Sequence, residues 1–193
     1  SNTYSYTASY TYCRRYRTFL YDLAKDVTMD TATINLNVEV TLSSSEACLL
    51  SGMMHAGDKQ QLQRIAAALH PGDFESPIFA RIFTAMTQLL DDNRPIDAAT
   101  VRSYLQAHGG ATAPADLINF TIVGLLTLGA NDLHIGEYAR QVVGASYRRQ
   151  FAYMAQQLRY AAETAPEDEL MNIMVEHGIG QRQAWNRYQN IDL

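Results

Sequence analysis

Lysine is almost missing from this 193-residue chain, which has only Lys25 and Lys59. Neither follows a glycine-rich loop, and no G-x-x-x-x-G-K-[ST] run occurs, so this stretch holds no P-loop nucleotide-binding domain. No G-x-G-x-x-G run occurs either, and Gly178-Ile179-Gly180 is too short to serve as one. Cysteine is scarce. Cys13 and Cys48 stand in unrelated contexts without C-x-x-C spacing, which points to a reducing compartment and away from a disulfide framework. No apolar run approaches the roughly 18 residues of a membrane span. The N-terminus is polar and tyrosine-rich, unlike a signal peptide. A soluble, cytoplasmic protein with no membrane partner is therefore expected. Excess positive charge is also absent. Fifteen Lys and Arg face twenty Asp and Glu, a net charge of −5, which opposes strong direct binding to nucleic acid.

Clustered chemistry is missing as well. The five histidines, His55, His70, His108, His134 and His177, are scattered. His70 and His108 precede Pro71 and Gly109 at expected helix ends, where a histidine favours the helix dipole. Asp91-Asp92 reads as a solvated loop, and Ser43-Ser44-Ser45 as a helix cap without a nucleophile-elbow pattern. No catalytic residue, cofactor site or metal site is assigned, and no independent enzyme is expected.

What the chain does have is one long stretch without proline, Ile135 to Ala165. Its apolar residues, from Ile135, Ala139 and Val142 through Tyr147, Phe151, Met154 and Leu158 to Ala161, recur at steps of three and four and draw one helical stripe. About thirty residues at 1.5 Å each make a helix of roughly 45 Å. A small core cannot cover that length, so the far half must bury its stripe elsewhere. Pro166 suits the first position of a second helix. Glu167, Asp168 and Glu169 suit its first turn, near the positive end of the macrodipole. Leu170, Ile173, Met174 and His177 continue the spacing, and Gly178 is expected to stop it. The expected result is an αα-hairpin. Either its apolar faces meet another chain, or the second helix folds back and closes a monomeric core. The expected interface is Tyr147, Phe151, Met154, Leu158, Leu170, Ile173 and Met174. Arg148, Arg149 and Arg159 lie on the same hairpin, where they contact an acidic partner or nucleic acid, or simply form a solvated face.

The rest of the chain divides in two. In residues 1–42, Tyr4, Tyr6, Tyr10 and Tyr12 alternate with Ser and Thr, 14–26 has a helical pattern, and Ile34, Leu36, Val38, Val40 and Leu42 alternate with polar residues. That predicts a strand–helix–strand extension. From Ser43 the pattern is helical. Helices are expected after Ser44 or Ser45, over Lys59–His70, from a Ser76 cap to Leu90, from an Asp97 cap to Gly109, and over Asp116–Leu128. The fold class is thus mainly α. A helical head (43–133) carries a projecting αα-hairpin (134–178) and a linker or tail (179–193), behind a small β-containing extension (1–42). The length suits one domain with an appendage or two small domains.

Several of these segments resemble the N-terminal domain of DnaB-type replicative helicases. Glu46-Ala-Cys-Leu-Leu-Ser-Gly-Met-Met54 is similar to the family's E-x-x-[VL]-L-G-G-L-[LM], with Ser51 in place of the first glycine. Asp73-Phe74 and Ile82-Phe83-x-x-Met86 resemble its D-F-Y…I-F-x-x-M, with Glu75 for the tyrosine and Phe79-Ala80 where His-Arg is common. Pro95-Ile96-Asp97-x-x-Thr100-Val101 resembles P-[IV]-D-x-x-T-[LV], and Ile135-Gly-Glu-Tyr138-Ala139 resembles the I-x-x-Y-A that opens the hairpin. The Gly-Gly-x-x-Tyr-Leu pattern is poorly kept around 109–120, as in a divergent member.

The resemblance implies a non-catalytic replication module of the primosome. Hairpins pair into dimers, the dimers build a collar on a hexameric ring, and the collar docks a primase or helicase loader. If the natural protein continues beyond residue 193, the chain would be part of an ATP-dependent DNA helicase. Two other functions are compatible with the residues. One is a stand-alone adaptor or inhibitor of a helicase or primase, because the helicase-binding end of primases shares this plan. The other is a DNA-binding regulator that uses the hairpin arginines.

Overall fold

A computed structural model describes residues 44–108 and 115–189. The expected strand–helix–strand unit of residues 1–42 lies outside them. The described residues form seven α-helices: α1 Ser45–His55, α2 Lys59–Ala68, α3 Pro77–Asp91, α4 Ala98–His108, α5 Ala115–Leu128, α6 Ile135–Thr164 and α7 Glu167–Gln189. Two 3-10 turns, Pro71–Asp73 and Asp132–His134, lead into α3 and α6.

Several helices start where a side chain can take up their free N–H groups. Ser44 accepts from the Ala47 N–H at 3.2 Å, and Asp58 accepts from Gln60 and Gln61. Asp97 accepts from Thr100 through both the backbone N–H, 2.9 Å, and the hydroxyl. That backbone bond, with the hydroxyl bond behind it, holds the Asp97 carboxyl below its ordinary value of 3.8. The start of α3 differs from the sequence expectation. Ser76 occupies the N-cap position, but its side chain makes no capping bond. The carboxylate of Glu46, brought from α1, accepts instead from the N–H groups of Glu75, 2.7 Å, and Ser76, 3.3 Å. A buried carboxylate at a helix N-terminus is favoured by both the hydrogen bonds and the dipole.

Helix α1 lies in the middle of the head and packs on α3, α5, α6 and the Asp132–His134 turn. Leu49, Leu50 and Met53 of α1 are fully buried. From α3 come Phe79, Ile82, Phe83 and Met86, and from α6 come Ile135, Ala139, Val142 and Val143. Gly52 sets how closely α1 and α6 approach, because a Cβ added there would lie 2.4 Å from Ile135 Cγ2. Its neighbour Ser51, fully buried, uses its hydroxyl to accept from the Ala130 N–H at 3.2 Å.

The long helix spans Ile135 to Thr164, as its spacing predicts. The helix after it does not stop at Gly178 but continues to Gln189, so residues 179–189 are helical. Gly178 and Gly180 each weaken the helix by about 1 kcal/mol, and the contacts of the following turns with α6 and Asp73 outweigh that. Among the described residues no single helix is long and apolar enough to cross a membrane. Helices α5 and α6 together have the length and composition but meet at a bend of 96°.

Candidate functional site

The feature that stands out from the head is the pair α6–α7. In α6, the buried residues Ile135, Ala139, Val142, Val143 and Ser146 all fall in the first twelve positions, and beyond them only Ala161 is buried. In α7 only Ala184 is buried. The head therefore covers the first third of α6, and the two helices cover one another thereafter. On α7 the half-buried residues Leu170, Ile173, His177, Gln181 and Arg187 fall with Ala184 at steps of three and four, which is one helix face turned to α6.

The other faces are left apolar and open. Phe151 is 50% exposed, Met171 63%, Met174 51%, Val175 51% and Ile179 56%. Near the head this surface continues into an aromatic group. The ring of Tyr147 lies 5.5 Å from Trp185, 6.0 Å from Tyr188 in a stacked arrangement, and 6.4 Å from Phe151. Where exposed apolar residues form a large patch, they mark contact regions rather than ordinary monomer surface.

Where the hairpin meets the head, Asp73 is the hub. It is 1% exposed. Its carboxylate accepts from the His70 N–H at 2.8 Å, from the Ser146 hydroxyl of α6 at 2.7 Å, and from the Arg187 guanidinium of α7. Arg149 donates to the Asp73 carbonyl and stands 3.7 Å from the Glu75 carboxylate. One buried acid thus ties the Pro71–Asp73 turn, α6 and α7 together. Buried charge is tolerated because it is paired and hydrogen-bonded.

The seven residues expected at an interface separate into two sets. Phe151 and Met174 face solvent, and Tyr147 sits half-buried in the aromatic group. Met154, Leu158, Leu170 and Ile173 are half-buried within the hairpin. Among the arginines, Arg148 is exposed, and Arg159 is exposed with an i,i+4 partner, Glu163, at 3.9 Å. Arg149 is engaged at Asp73 and Glu75. Residues of the hub, Ser146 and Arg187, escaped sequence reasoning because they are more than seventy positions from Asp73 and share no local motif with it. Met171, Val175, Ile179 and Trp185 escaped it because they lie off the stripe that faces α6 or beyond Gly178. The histidines at helix ends are satisfied locally. His108 Nδ1 lies 3.1 Å from the Tyr104 carbonyl, and His70 accepts from the Gly72 N–H.

Among the described residues these features define an all-helical module whose distinguishing surface is the open apolar face of its hairpin. The model of the DnaB-like helicase N-terminal domain matches residues 39–143, more than half of the chain, and the chain belongs to that family. Among solved structures, the N-terminal domain of DnaB helicase from Mycobacterium tuberculosis is similar, with a TM-score of 0.57 at 21% identity. The match covers 68% of this chain and 94% of that one, and at that identity it speaks for the fold. No curated protein matches.

Proposed function

We propose that this chain is a non-catalytic replication module that self-associates through its hairpin and, so assembled, presents a collar-like platform to a primase or helicase loader. The observation that carries this reading is the run of exposed apolar residues outside the α6–α7 seam, Phe151, Met171, Met174, Val175 and Ile179. A monomer gains nothing by leaving them in water, at roughly 25 cal/mol for each Å², whereas a second hairpin laid alongside would bury them. Membership of the helicase N-terminal family supports the same reading.

The test is the native mass by light scattering across a concentration series. Phe151→Glu with Met174→Glu should shift the chain to monomer, because charges buried against apolar partners cost several kcal/mol. If the variant keeps the oligomeric state of the wild type, the hairpin is not the contact. Arg149 is engaged at Asp73 and Glu75, and the net charge of −5 weighs against the DNA-binding reading.

A further inference from the structure

Helix α7 carries Gly178 and Gly180 one residue apart, well inside its length. Glycine is the poorest helix former after proline, so a pair needs a reason. Two reasons are visible elsewhere in this chain. At Gly52 an added Cβ would stand 2.4 Å from Ile135 Cγ2, so close packing demands glycine, and at Gly144 it would crowd the Tyr188 ring at 3.3 Å. At Gly129 the backbone turns to φ +57, so conformation demands it. Neither holds at Gly178 or Gly180. A Cβ there meets no described atom within 4 Å, and neither has a positive φ. What the pair does supply is a local weakness in the helix.

The two sides of that weakness are held by different partners. Before it, Leu170 and Ile173 lie on the face turned to the free end of α6. After it, the helix is held near the head. Ala184 is buried, Tyr188 packs over Gly144, Trp185 and Tyr188 lie against Tyr147, and Arg187 is paired with Asp73. At the junction a groove of about 430 Å³ opens, bordered by His177, Gly180 and Gln181 on α7 and by Gln150 and Met154 on α6. Among the described residues the buried Oε1 of Gln181 has no hydrogen-bond partner.

We infer that α7 is two segments jointed at Gly178–Gly180, and that residues 181–189 form a latch closed on the head by the Asp73–Arg187 pair. Opening does not strand the buried acid. Asp73 keeps the Ser146 hydroxyl and the His70 N–H, and Arg149 keeps the Asp73 carbonyl. The full penalty of an unpartnered buried carboxylate is thereby avoided. The open latch bares Tyr147 and the α6 surface at Gly144, next to the already exposed Phe151. The hairpin thus holds a second apolar face that the latch covers or releases. This inference does not rest on self-association.

Amide hydrogen exchange on the full chain tests it, with native mass recorded on the same samples so that exchange is compared at equal oligomeric state. Residues 181–189 should exchange as a group, about tenfold faster than the buried turns of α6, as a sub-global opening does. Arg187→Ala should raise exchange in 181–189 about tenfold and leave 167–176 unchanged. Gly178→Ala with Gly180→Ala should slow it about tenfold, as two helix-favouring replacements at a joint would. If Arg187→Ala unfolds the chain, Arg187→Lys, which keeps the charge but loses the planar fork, should show the same segment-limited rise in smaller degree. An even rise across 167–189 would mean that α7 leaves as one rod. No change in the arginine variants would remove the clasp, and no change in the glycine variant would remove the joint.

Discussion

At Gly52 a single missing methyl group decides how α1 and α6 meet. The site admits no Cβ without displacing Ile135, so Gly52→Ala should cost about 1–3 kcal/mol, the usual range for overpacking. Gly57, in open space, is its control. Gly57→Ala should leave the urea midpoint nearly unchanged, and equal effects at the two glycines would refute the close-packing account. Ser51 explains a departure from the family pattern in similar terms, since its buried hydroxyl takes the Ala130 N–H. Asn93, at φ 59, ends α3 with its own N–H on the Leu90 carbonyl and the Arg94 N–H on the Leu89 carbonyl. That is a Schellman ending, with asparagine in the left-handed position that glycine often takes.

Asp97 is the residue whose titration reports on stability. Its folded pKa is lowered by the bonds from Thr100. The ionised cap therefore contributes stability that is present above the unfolded value and is lost as pH falls through the lowered folded value. Asp97→Ala should cost about 1 kcal/mol near neutral pH, the typical worth of an N-cap. The gap between variant and wild type should shrink in strongly acid solution, and urea titrations at both pH values measure it. A gap that widens on acidification would contradict the assignment.

At the scale of the element, the long helix was legible because thirty residues without proline repeat one apolar spacing. Its neighbour was legible only through its first three turns, as far as His177. Gly178 carries a genuine stop signal, yet α7 continues, because Ala184, Trp185, Arg187 and Tyr188 find partners on the head and on α6. The start of α3 shows the same override. Ser76 is a good local cap, but Glu46 from another helix takes the N–H groups first. The hairpin prediction also belongs here. Phe151 and Met174 are half exposed, so replacing both with glutamate should disperse an oligomer while changing monomer stability by no more than about 0.5 kcal/mol for each site. A large loss of stability would mean that they serve the fold instead.

For the whole molecule, the balance of charge and apolar surface sets how association answers to salt. The chain is acidic, with a net charge of −5, and its open hairpin surface is apolar. Self-association should therefore hold or strengthen in sulfate, which favours apolar burial and screens like-charge repulsion. Light scattering at low and high salt measures this. Dissociation at high salt would point to the arginines as the contact instead.

Composition and spacing by themselves determined the helical class, the five helical patterns of the head and the long stem of the hairpin. These are set by local periodicity and by residues that cap their own helices. They also carried the resemblance to the helicase N-terminal domain, because its motifs are short and lie in order along the chain. Only the tertiary structure decided which apolar residues of the hairpin are consumed between α6 and α7 and which remain in water. It alone assembled Asp73, Ser146, Arg149 and Arg187 from three distant segments. The physical reason is that burial and pairing of charge depend on which surfaces meet in space, and no local spacing records that.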